Sequence, residues 1–293
     1  MIEFKPIELC DREIVEKYLA TEQNMGCEMS FTSMYIWRKA YDMRYAIVED
    51  CLVLWSKDGA NPAGLRFPVG NGDRLKAAQI ACDYMVSVGE KPQFYGVTRD
   101  VVDFVLKNTD EYQASDMSKY SDYVYESEKL ITLSGKKLHS KKNHLNRFKK
   151  TYNYEYLKIK PSDKDEIMKA YDRWAELDDK YLLAERDSIS DVVSNLYNLS
   201  TKGAMLKVDG EIVAFTLGDR LTDDMAVIHV EKADTSFNGS YAAINQMFVE
   251  NEWKEYKYIN REDDCGLEGL RKAKLSYQPV FMVEKFKLLR KNS

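Results

Sequence analysis

Hydrophobic residues in the first half of the chain recur with two spacings, one typical of strands and the other of helices. Alternating or continuous apolar runs predict short strands over residues 2–5, 44–48, 51–56, 65–69, 93–96 and 121–125. Apolar residues three and four positions apart predict helices over residues 11–20, 30–40, 73–88 and 99–107. Asp73 is placed to cap the third of these helices.

The second half of the chain repeats this order of patterns. Strands are predicted over residues 154–160, 204–208, 211–217, 225–233, 256–259 and 280–288, with Asp209-Gly210 as a two-residue hairpin turn. Helices are predicted over residues 161–181, 190–199, 241–253 and 267–277, the second of them capped by Ser190. The first of these helices has one apolar face, formed by Ile167, Tyr171, Trp174, Leu177 and Tyr181.

Strand, helix, helix, three-strand meander, helix, strand, helix, strand is the element order of the acetyltransferase superfamily. Because the order occurs twice, the sequence predicts an α+β fold of two tandem acetyltransferase-like (GNAT-type) domains, each a mixed sheet flanked by helices. We place the N-terminal domain at residues 1–128 and the C-terminal domain, expected to carry the active site, at residues 129–293. A length of 293 residues suits two domains.

Composition narrows the class of protein further. Hydrophobic residues make up 44% and charged residues 31% of the chain, as in folded globular proteins. No stretch approaches the roughly 18–20 apolar residues of a membrane span, and the N-terminus lacks the basic flank and apolar run of a signal peptide. We therefore expect a cytoplasmic protein without a transmembrane segment. Five scattered cysteines and three histidines show no ligand spacing, so neither disulfides nor a bound metal are expected.

The strongest local charge lies between Gly135 and Lys150, where seven lysines and arginines occur without an acid, although the whole chain carries a net charge of −5. On a helix that starts at Gly135, the apolar face is formed by Leu138, Leu145, Phe148 and Tyr152. The opposite face carries Lys136, His139, Asn143, Asn146, Arg147 and Lys150. That polar face either is a solvated flank of the helix or binds phosphates.

Lys141 falls in the middle of the apolar face of this helix, where an unpaired ammonium is costly to bury, unless its long side chain reaches water. Lys274 lies similarly within the predicted apolar face of helix 267–277, with Arg271 at its edge; that face comprises Leu267, Leu270 and Tyr277. Two cations on separate helices, both directed at core positions, predict a shared pocket for an anion.

Acidic residues cluster just after the predicted strand 256–259, in the turn Arg261-Glu262-Asp263-Asp264. One of the two aspartates can cap the next helix. The other acids can bind the α-amino group of a donor or deprotonate an acceptor amine. Glu231 is our best single candidate for a general base, with a structural ion pair as the alternative, and His229 shares its side of the strand. Tyr277 is either an acid for the leaving group or a core tyrosine.

The candidate site is therefore specified residue by residue. Its catalytic candidates are Glu231, Asp263 and Tyr277. Its substrate-binding candidates are Lys136, His139, Lys141, Asn143, Arg147, Arg261, Glu262, Arg271 and Lys274.

The loop before the predicted helix 241–253 contains Asn238-Gly239-Ser240, our cofactor-binding candidates. Acetyltransferases bind the pyrophosphate of coenzyme A at this position, on amides of the helix N-terminus. Their usual loop has Gln or Arg, two residues, and then Gly-x-Gly/Ala. This loop has one glycine and departs from the pattern at both ends, so it favours aminoacyl-tRNA or another donor. No tightly bound cofactor is expected.

Three segments carry a resemblance to a known family: residues 30–37 (SFTSMYIW), 133–148 (LSGKKLHSKKNHLNRF) and 259–274 (INREDDCGLEGLRKAK). They resemble stand-alone bacterial proteins related to the C-terminal domain of phosphatidylglycerol lysyltransferases. The resemblance covers essentially the whole chain and implies a tandem acetyltransferase-like fold. Characterised relatives transfer an aminoacyl group from charged tRNA to a lipid head group or a peptidoglycan precursor.

These observations lead to a functional hypothesis and two alternatives. We expect an acyl- or aminoacyltransferase that moves an acyl group from charged tRNA or acyl-coenzyme A, as a co-substrate, to an amine or hydroxyl acceptor. That acceptor can be a small molecule or a lipid head group, and tRNA is the expected partner. The alternatives are a non-catalytic RNA- or metabolite-binding protein on a transferase fold, and an acetyl-coenzyme A-dependent N-acetyltransferase.

Overall fold

A computed structural model describes residues 2–59, 61–174 and 180–291 of the chain, without the side chains of residues 180 and 181. The chain forms two compact units, Met1–Ser121 together with Val283–Ser293, and Asp122–Met282. These units differ in two respects from the division expected at residue 128. The first unit ends earlier, and the C-terminal segment returns to it.

Among the described residues, seven strands form the sheet of the first unit. In spatial order they are β1 (Lys5–Pro6), β2 (Arg44–Val48), β3 (Cys51–Ser56), β4 (Gly64–Gly70), β5 (Gln93–Thr98), β14 (Lys285–Arg290) and β6 (Tyr112–Asp116). β4 and β5 are parallel, and the other neighbouring strands are antiparallel. The sheet is therefore mixed.

The helices of the first unit are α1 (Arg12–Leu19), α2 (Phe31–Trp37), α3 (Arg74–Ser87) and α4 (Arg99–Asn108). Ser30 and Asp73 cap α2 and α3, because each side-chain oxygen accepts a hydrogen bond of 3.0 Å from a backbone amide three residues on. The caps show why both helices begin where the sequence predicts. Alanines 77, 78 and 81 of α3 are fully buried in the core of this unit.

The second unit also has a mixed sheet of seven strands within the described part of the chain. In spatial order they are β13 (Phe281–Val283), β7 (Asp122–Glu126), β12 (Tyr258–Asn260), β11 (Met225–Ala233), β10 (Glu211–Arg220), β9 (Lys202–Val208) and β8 (Tyr154–Lys158). β11 and β12 are parallel, whereas β8 to β11 form an antiparallel meander.

Helices cover both faces of this second sheet. They are α5 (Ser127–Thr132), α6 (His139–Thr151), α7 (Lys164–Trp174), α8 (Lys180–Ser194), α9 (Leu196–Leu199), α10 (Ser240–Phe248, continued by a π-helical turn Val249–Trp253) and α11 (Glu268–Leu275). Trp174 of α7 stacks on Phe215 of β10, with ring centroids 6.0 Å apart. Thr216, which follows Phe215 on β10, pairs with Glu231 of β11, and the carboxylate of Glu231 accepts a hydrogen bond from Asn245 of α10. Successive strand residues point to opposite faces, so α7 and α10 lie on opposite sides of the sheet.

The predicted fold class is confirmed, since each unit is a mixed sheet flanked by helices and the strands 44–48, 51–56 and 225–233 have the predicted bounds. The hairpin at Asp209-Gly210 also forms, with Val208 paired to Glu211. No helix within the described residues is both long and apolar enough to cross a bilayer.

Several predicted elements are wrong. Ser190 lies inside α8 and caps nothing, because the helix begins ten residues earlier. The single strand predicted over residues 280–288 is two strands in different sheets. The sequence also missed α5 and β6; β6 is mostly exposed and polar, so it has no apolar pattern. Of the predicted apolar face of helix 161–181, Leu177 and the side chain of Tyr181 lie outside the described residues.

Candidate functional site

The two parallel strands of the second unit separate towards their carboxyl ends. β12 pairs with β11 only from Met225 to Val227, and it ends at Asn260. β11 continues to Ala233 and stays paired with β10, but on its other edge the second half faces the chain that leaves β12 rather than another strand. In open α/β sheets, ligands bind in such a crevice at the carboxyl ends of parallel strands. The candidate site lies here.

A β-bulge shapes this part of β11. Leu217 of β10 pairs with Val230, but the next residue, Gly218, pairs with Ile228, so His229 is the extra residue. A side chain at position 218 would place its first carbon 2.6 Å from the carbonyl oxygen of Val227. Glycine is therefore required for the close approach of the two strands. Bulges of this kind redirect side chains next to functional sites.

A buried ion pair crosses the crevice. Nη2 of Arg261, the first residue after β12, donates to Oε1 of Glu231 over 2.7 Å. The other carboxylate oxygen accepts from Nδ2 of Asn245 on α10 over 2.8 Å. The side chains of Arg261 and Glu231 are only 12% and 10% exposed. Glu231 is thus engaged in an ion pair, which was the alternative to its predicted role as a general base.

Two buried polar atoms beside Glu231 have no hydrogen-bond partner among the residues that the structure describes. They are Nη1 of Arg261 and Oδ1 of Asn245. Asn245 itself is completely buried. An unpaired buried polar atom costs about 1–3 kcal/mol, and native proteins pair nearly all such atoms. We therefore take these two atoms to mark the wall of a ligand site.

Lys141 of α6 reaches the same place. Its Nζ lies 4.5 Å from the centre of the Tyr277 ring, and the guanidinium carbon of Arg261 lies 4.7 Å from that centre. Lys141 makes no hydrogen bond or ion pair with any other described residue. Burial, together with the positive charge of Arg261, lowers the pKa of Lys141. Lys141 and Arg261 thus bring two cations against the ring of Tyr277, and we call this cluster of three residues the cationic pocket.

Tyr277 stays protonated in this pocket, because burial raises its pKa to about 12, although Arg261 acts in the opposite direction. The ring packs edge-on against Tyr125, with centroids 6.4 Å apart. Both roles predicted for Tyr277 remain compatible with this position, since it is a core residue whose ring borders the cationic pocket.

Lys274 does not serve the pocket in the predicted way. It is 8% exposed, and its Nζ donates to the backbone carbonyl oxygens of Arg261, Glu262 and Asp263. Burial lowers its pKa. The ammonium therefore stabilises the turn after β12, and the cation that joins Lys141 is Arg261. The predicted apolar face of α11 is also wrong, because Leu267 and Leu270 are exposed.

The two aspartates of the turn do not cap α11, whose N-cap is Leu267; Asp263 bonds within the turn, and Asp264 joins the turn to β7 and α11. Asp263 accepts from the amide of Cys265 over 2.8 Å. Asp264 is buried, and it accepts from the hydroxyl of Tyr123 over 2.6 Å and from Nε of Arg271 over 2.8 Å. The ion pair with Arg271 lowers the pKa of Asp264 to about 2. Arg271 is thereby committed to the turn rather than left free for substrate.

His229 and Glu262 extend the buried charge network. Nδ1 of His229 lies 2.9 Å from Oε1 of Glu262, and Nε2 lies 3.4 Å from Oδ2 of Asp219. Burial alone lowers the pKa of His229, but the two hydrogen-bonded carboxylates raise it to about 9. Because both ring nitrogens face carboxylates, a protonated His229 can donate one hydrogen bond to each of them. Glu262 has φ of +57°, a left-handed conformation that costs about 1 kcal/mol or more for a non-glycine residue.

The predicted cofactor loop is packed against α6. Gly239 has φ of +91°, and a side chain there would place its first carbon 2.3 Å from the carbonyl oxygen of His144. Oδ1 of Asn238 lies 3.2 Å from Nδ1 of His144, and Ser240 donates to the carbonyl of Asp234 over 2.8 Å. All three predicted residues therefore have contacts within the unit, and binding of a cofactor by them stays a prediction.

The polar face of α6 is exposed as predicted. The predicted residues of this face, all of them exposed, are Lys136 in the 3-10 turn Lys136–Leu138 just before α6, and His139, Asn143, Asn146, Arg147 and Lys150 in α6 itself. None of them forms an ion pair with an acid in the described part of the chain. The charge of this face, which we call the α6 basic face, is therefore not neutralised by the protein.

The structure brings together Lys141, Glu231, Arg261 and Tyr277, and it uses Asp263, Asp264, Arg271 and Lys274 to build the adjoining turn. Two residues at the site, Asn245 and Asp219, were not among the predicted ones. Asn245 had a detectable signal, since it is a polar residue within the apolar run of α10, like Lys141 in α6. The sequence signal for Asp219 was weaker: the residue follows Gly218, and a glycine inside a strand often marks a bulge.

The family model described as phosphatidylglycerol lysyltransferase, C-terminal, matches residues 20–288. The chain therefore belongs to this family, as the three sequence segments indicated. An uncharacterised protein of Mycoplasmoides gallisepticum is 28% identical over 171 residues, which cover 57% of this chain and 55% of that protein. The chain thus spans about half the length of this relative.

Solved structures show the same fold. A conserved protein of unknown function from Bacteroides thetaiotaomicron is 36% identical, with a TM-score of 0.92, over 99% of this chain and 100% of that one. The L-PGS structure from Bacillus licheniformis is 18% identical, with a TM-score of 0.68, over 97% of this chain and 93% of that one. A tandem GNAT protein from the clavulanic acid biosynthesis pathway is 11% identical, with a TM-score of 0.53, over 99% of this chain and 98% of that one. The last two likenesses concern the fold alone.

Proposed function

We propose that the chain is an aminoacyltransferase, which moves an aminoacyl group from charged tRNA to an amine or hydroxyl acceptor through the pocket of the second unit. Family membership supports an activated aminoacyl donor. The observation that carries the proposal is the pairing of Lys141 and Arg261 at the carboxyl end of β11. Both cations border Tyr277, and each leaves a polar atom without a partner in the described structure.

The reaction that suits this geometry is direct transfer. The acceptor oxygen or nitrogen forms a bond to the carbonyl carbon of the aminoacyl ester, and the bond from that carbon to the terminal ribose oxygen breaks. Negative charge develops on the carbonyl oxygen in the transition state. The ammonium of Lys141 and Nη1 of Arg261 stabilise that charge in a site largely closed to water. The hydroxyl of Tyr277 gives its proton to the leaving ribose oxygen and takes up the proton that the acceptor loses, so no proton is gained or lost overall.

The α6 basic face supports tRNA as the donor. Its lysines and Arg147 are exposed and are not neutralised by acids of the described residues, and Lys141 lies on the same helix, directed into the pocket. A polynucleotide bound along this face would contact the protein through its phosphates, as nucleic acids commonly do. The loop at Asn238-Gly239-Ser240 departs from the coenzyme A pattern, and the backbone of α6 packs against it. Acyl-coenzyme A is therefore the less favoured donor.

The test is single-turnover transfer from total charged tRNA, compared with acetyl-coenzyme A. Lys141→Met and Arg261→Met should each lower the rate by about 100-fold or more, which is typical for removal of one oxyanion donor. The matched control is Lys272→Met, an exposed lysine of α11 that pairs with Glu268 and lies outside the α6 basic face, and this variant should retain the rate within a few fold. Full activity in both pocket variants would contradict the proposed site.

A non-catalytic RNA-binding protein is the second candidate, and the same α6 basic face favours it. This alternative predicts tRNA binding without turnover. Its affinity should fall steeply with salt, since each neutralised phosphate releases counterions. Salt-dependent binding by a chain that consumes no aminoacyl ester would support the alternative over the enzyme.

A further inference from the structure

The hydrogen-bond arrangement around Glu231 fixes the orientation of its two partners. A carboxylate only accepts hydrogen bonds. Asn245 must therefore direct its amide nitrogen to Oε2 of Glu231, and Arg261 directs Nη2 to Oε1. This constraint also fixes which polar atom of each side chain does not bond to Glu231. Oδ1 of Asn245 is a buried acceptor and Nη1 of Arg261 is a buried donor, both without partners among the described residues.

An acceptor and a donor placed on either side of one carboxylate have a chemical complement. The ligand must offer an N–H group to Asn245 and an oxygen to Arg261, and these two groups must lie near each other because both residues bond to the same carboxylate. The free α-amino group and the carbonyl oxygen of an aminoacyl ester meet this requirement. A simple acyl group, such as acetyl, offers the oxygen but has no N–H.

We infer that Asn245 and Arg261 together recognise the α-amino and carbonyl groups of the donor, so that the site selects aminoacyl units with a free α-amino group. This inference rests on the proposed function. The amine can donate whether it is neutral or protonated, so recognition does not require a particular charge state. Asn245 is then the residue that determines specificity for the amine, while Arg261 contacts the reacting carbonyl.

Burial makes this recognition strong. Asn245 is completely buried and held by its bond to Glu231, so it cannot turn to seek another donor without breaking that bond. A site built to hydrogen-bond a substrate N–H discriminates against analogues that cannot satisfy it, because its own polar group then stays unpaired. Acylation of the α-amino group also adds bulk beside the buried side chain.

The experiment compares two pools of the same donor. Total aminoacyl-tRNA is divided, one part is acetylated at the α-amino group, and the single-turnover loss of aminoacyl ester is measured for each. Use of the total pool removes any dependence on which amino acid the protein prefers. The wild type should consume the acetylated pool at least 10-fold more slowly. Asn245→Leu should consume the free-amine pool more slowly and lose most of this discrimination.

Gln246→Leu is the matched control, since Gln246 is the next buried polar residue of α10 and its amide bonds to Glu250 instead. It should keep the wild-type preference. Equal consumption of both pools by the wild type would overturn the inference and leave the transferase function standing. Consumption of neither pool would overturn both. The wild-type comparison does not depend on whether Asn245→Leu folds.

Discussion

Replacing Arg261 by methionine should destabilise the second unit much more than the loss of one surface charge would. The change removes the partner of Glu231 but leaves its carboxylate in place, with Asn245 as its one remaining hydrogen-bond donor. Both side chains of the ion pair are nearly buried, at 12% and 10% exposure. Water therefore cannot take over the role of the guanidinium.

The size of the effect follows from this burial. Breaking a buried ion pair by removing one partner costs about 3–5 kcal/mol, because the other charge is left uncompensated. Replacing both partners is far less costly. We expect Arg261→Met to lower the free energy of unfolding by about 3–5 kcal/mol. Each kcal/mol corresponds to roughly 2–4 °C in Tm for a domain of this size, so Tm should fall by roughly 10 °C.

The assay is urea and thermal unfolding followed by circular dichroism, for Arg261→Met, Glu231→Gln and the double variant. Glutamine at position 231 keeps an oxygen for Asn245 but carries no charge. The double variant should therefore recover most of the stability that Arg261→Met loses, without recovering transfer activity. Additive destabilisation in the double variant, or a loss below about 1 kcal/mol in Arg261→Met, would refute the argument that this pair is buried and coupled.

Three further predictions concern the surroundings of the pocket. Lys274→Met should loosen the turn after β12, because the ammonium of Lys274 bonds to backbone carbonyls of that turn, and hydrogen exchange of the amides of residues 261–266 should become faster. Lys272→Met, a change at an exposed neighbour, should leave the exchange rates unchanged. Equal exchange rates in the two variants would contradict the role of Lys274. The pKa of His229 is about 9 in the folded protein and about 6.5 in the unfolded chain, so its protonation favours the folded state. This contribution to the free energy of unfolding, roughly 3 kcal/mol at most, is fully present below about pH 6.5 and is lost as the pH rises through about 9. The unfolding free energy should therefore decline over that window in the wild type but not in His229→Gln, and parallel pH profiles would exclude this origin. Gly239→Ala should lower the free energy of unfolding by about 1–3 kcal/mol, because the added carbon would clash with the carbonyl oxygen of His144 and because residue 239 has a positive φ. The measurement is chemical denaturation, and an unchanged midpoint would contradict the packing of α6 on this loop.

Much of the local structure was predictable because it depends on near neighbours in the chain. Strand periods placed β2, β3 and β11, and the caps at Ser30 and Asp73 placed the starts of α2 and α3. The unusual position of Lys141 was visible too. A cation within an apolar helical face is inconsistent with an ordinary core, and the structure places it at the edge of the pocket.

The partners of the charged residues were decided by the tertiary structure. Lys274 has the same sequence signature as Lys141, yet its ammonium bonds to three backbone carbonyls of a turn that only the folded chain brings near. Arg261 lies in the same acidic segment as Glu262, but its partner is Glu231, thirty residues earlier. A pattern along the chain shows that a charge must be satisfied, because burial is costly. It does not show by which group.

The amino-acid sequence by itself determined the class of fold, the family and the helix that carries the α6 basic face, since these depend on periodicity and on motifs read along the chain. Only the tertiary structure decided which cations remain available in the pocket. It did so by engaging the ammonium of Lys274 with backbone carbonyls, by pairing Arg261 with Glu231, and by placing Asn245 of α10 beside Glu231 of β11. Those contacts join residues on different elements of the folded unit, and local propensity carries no information about them.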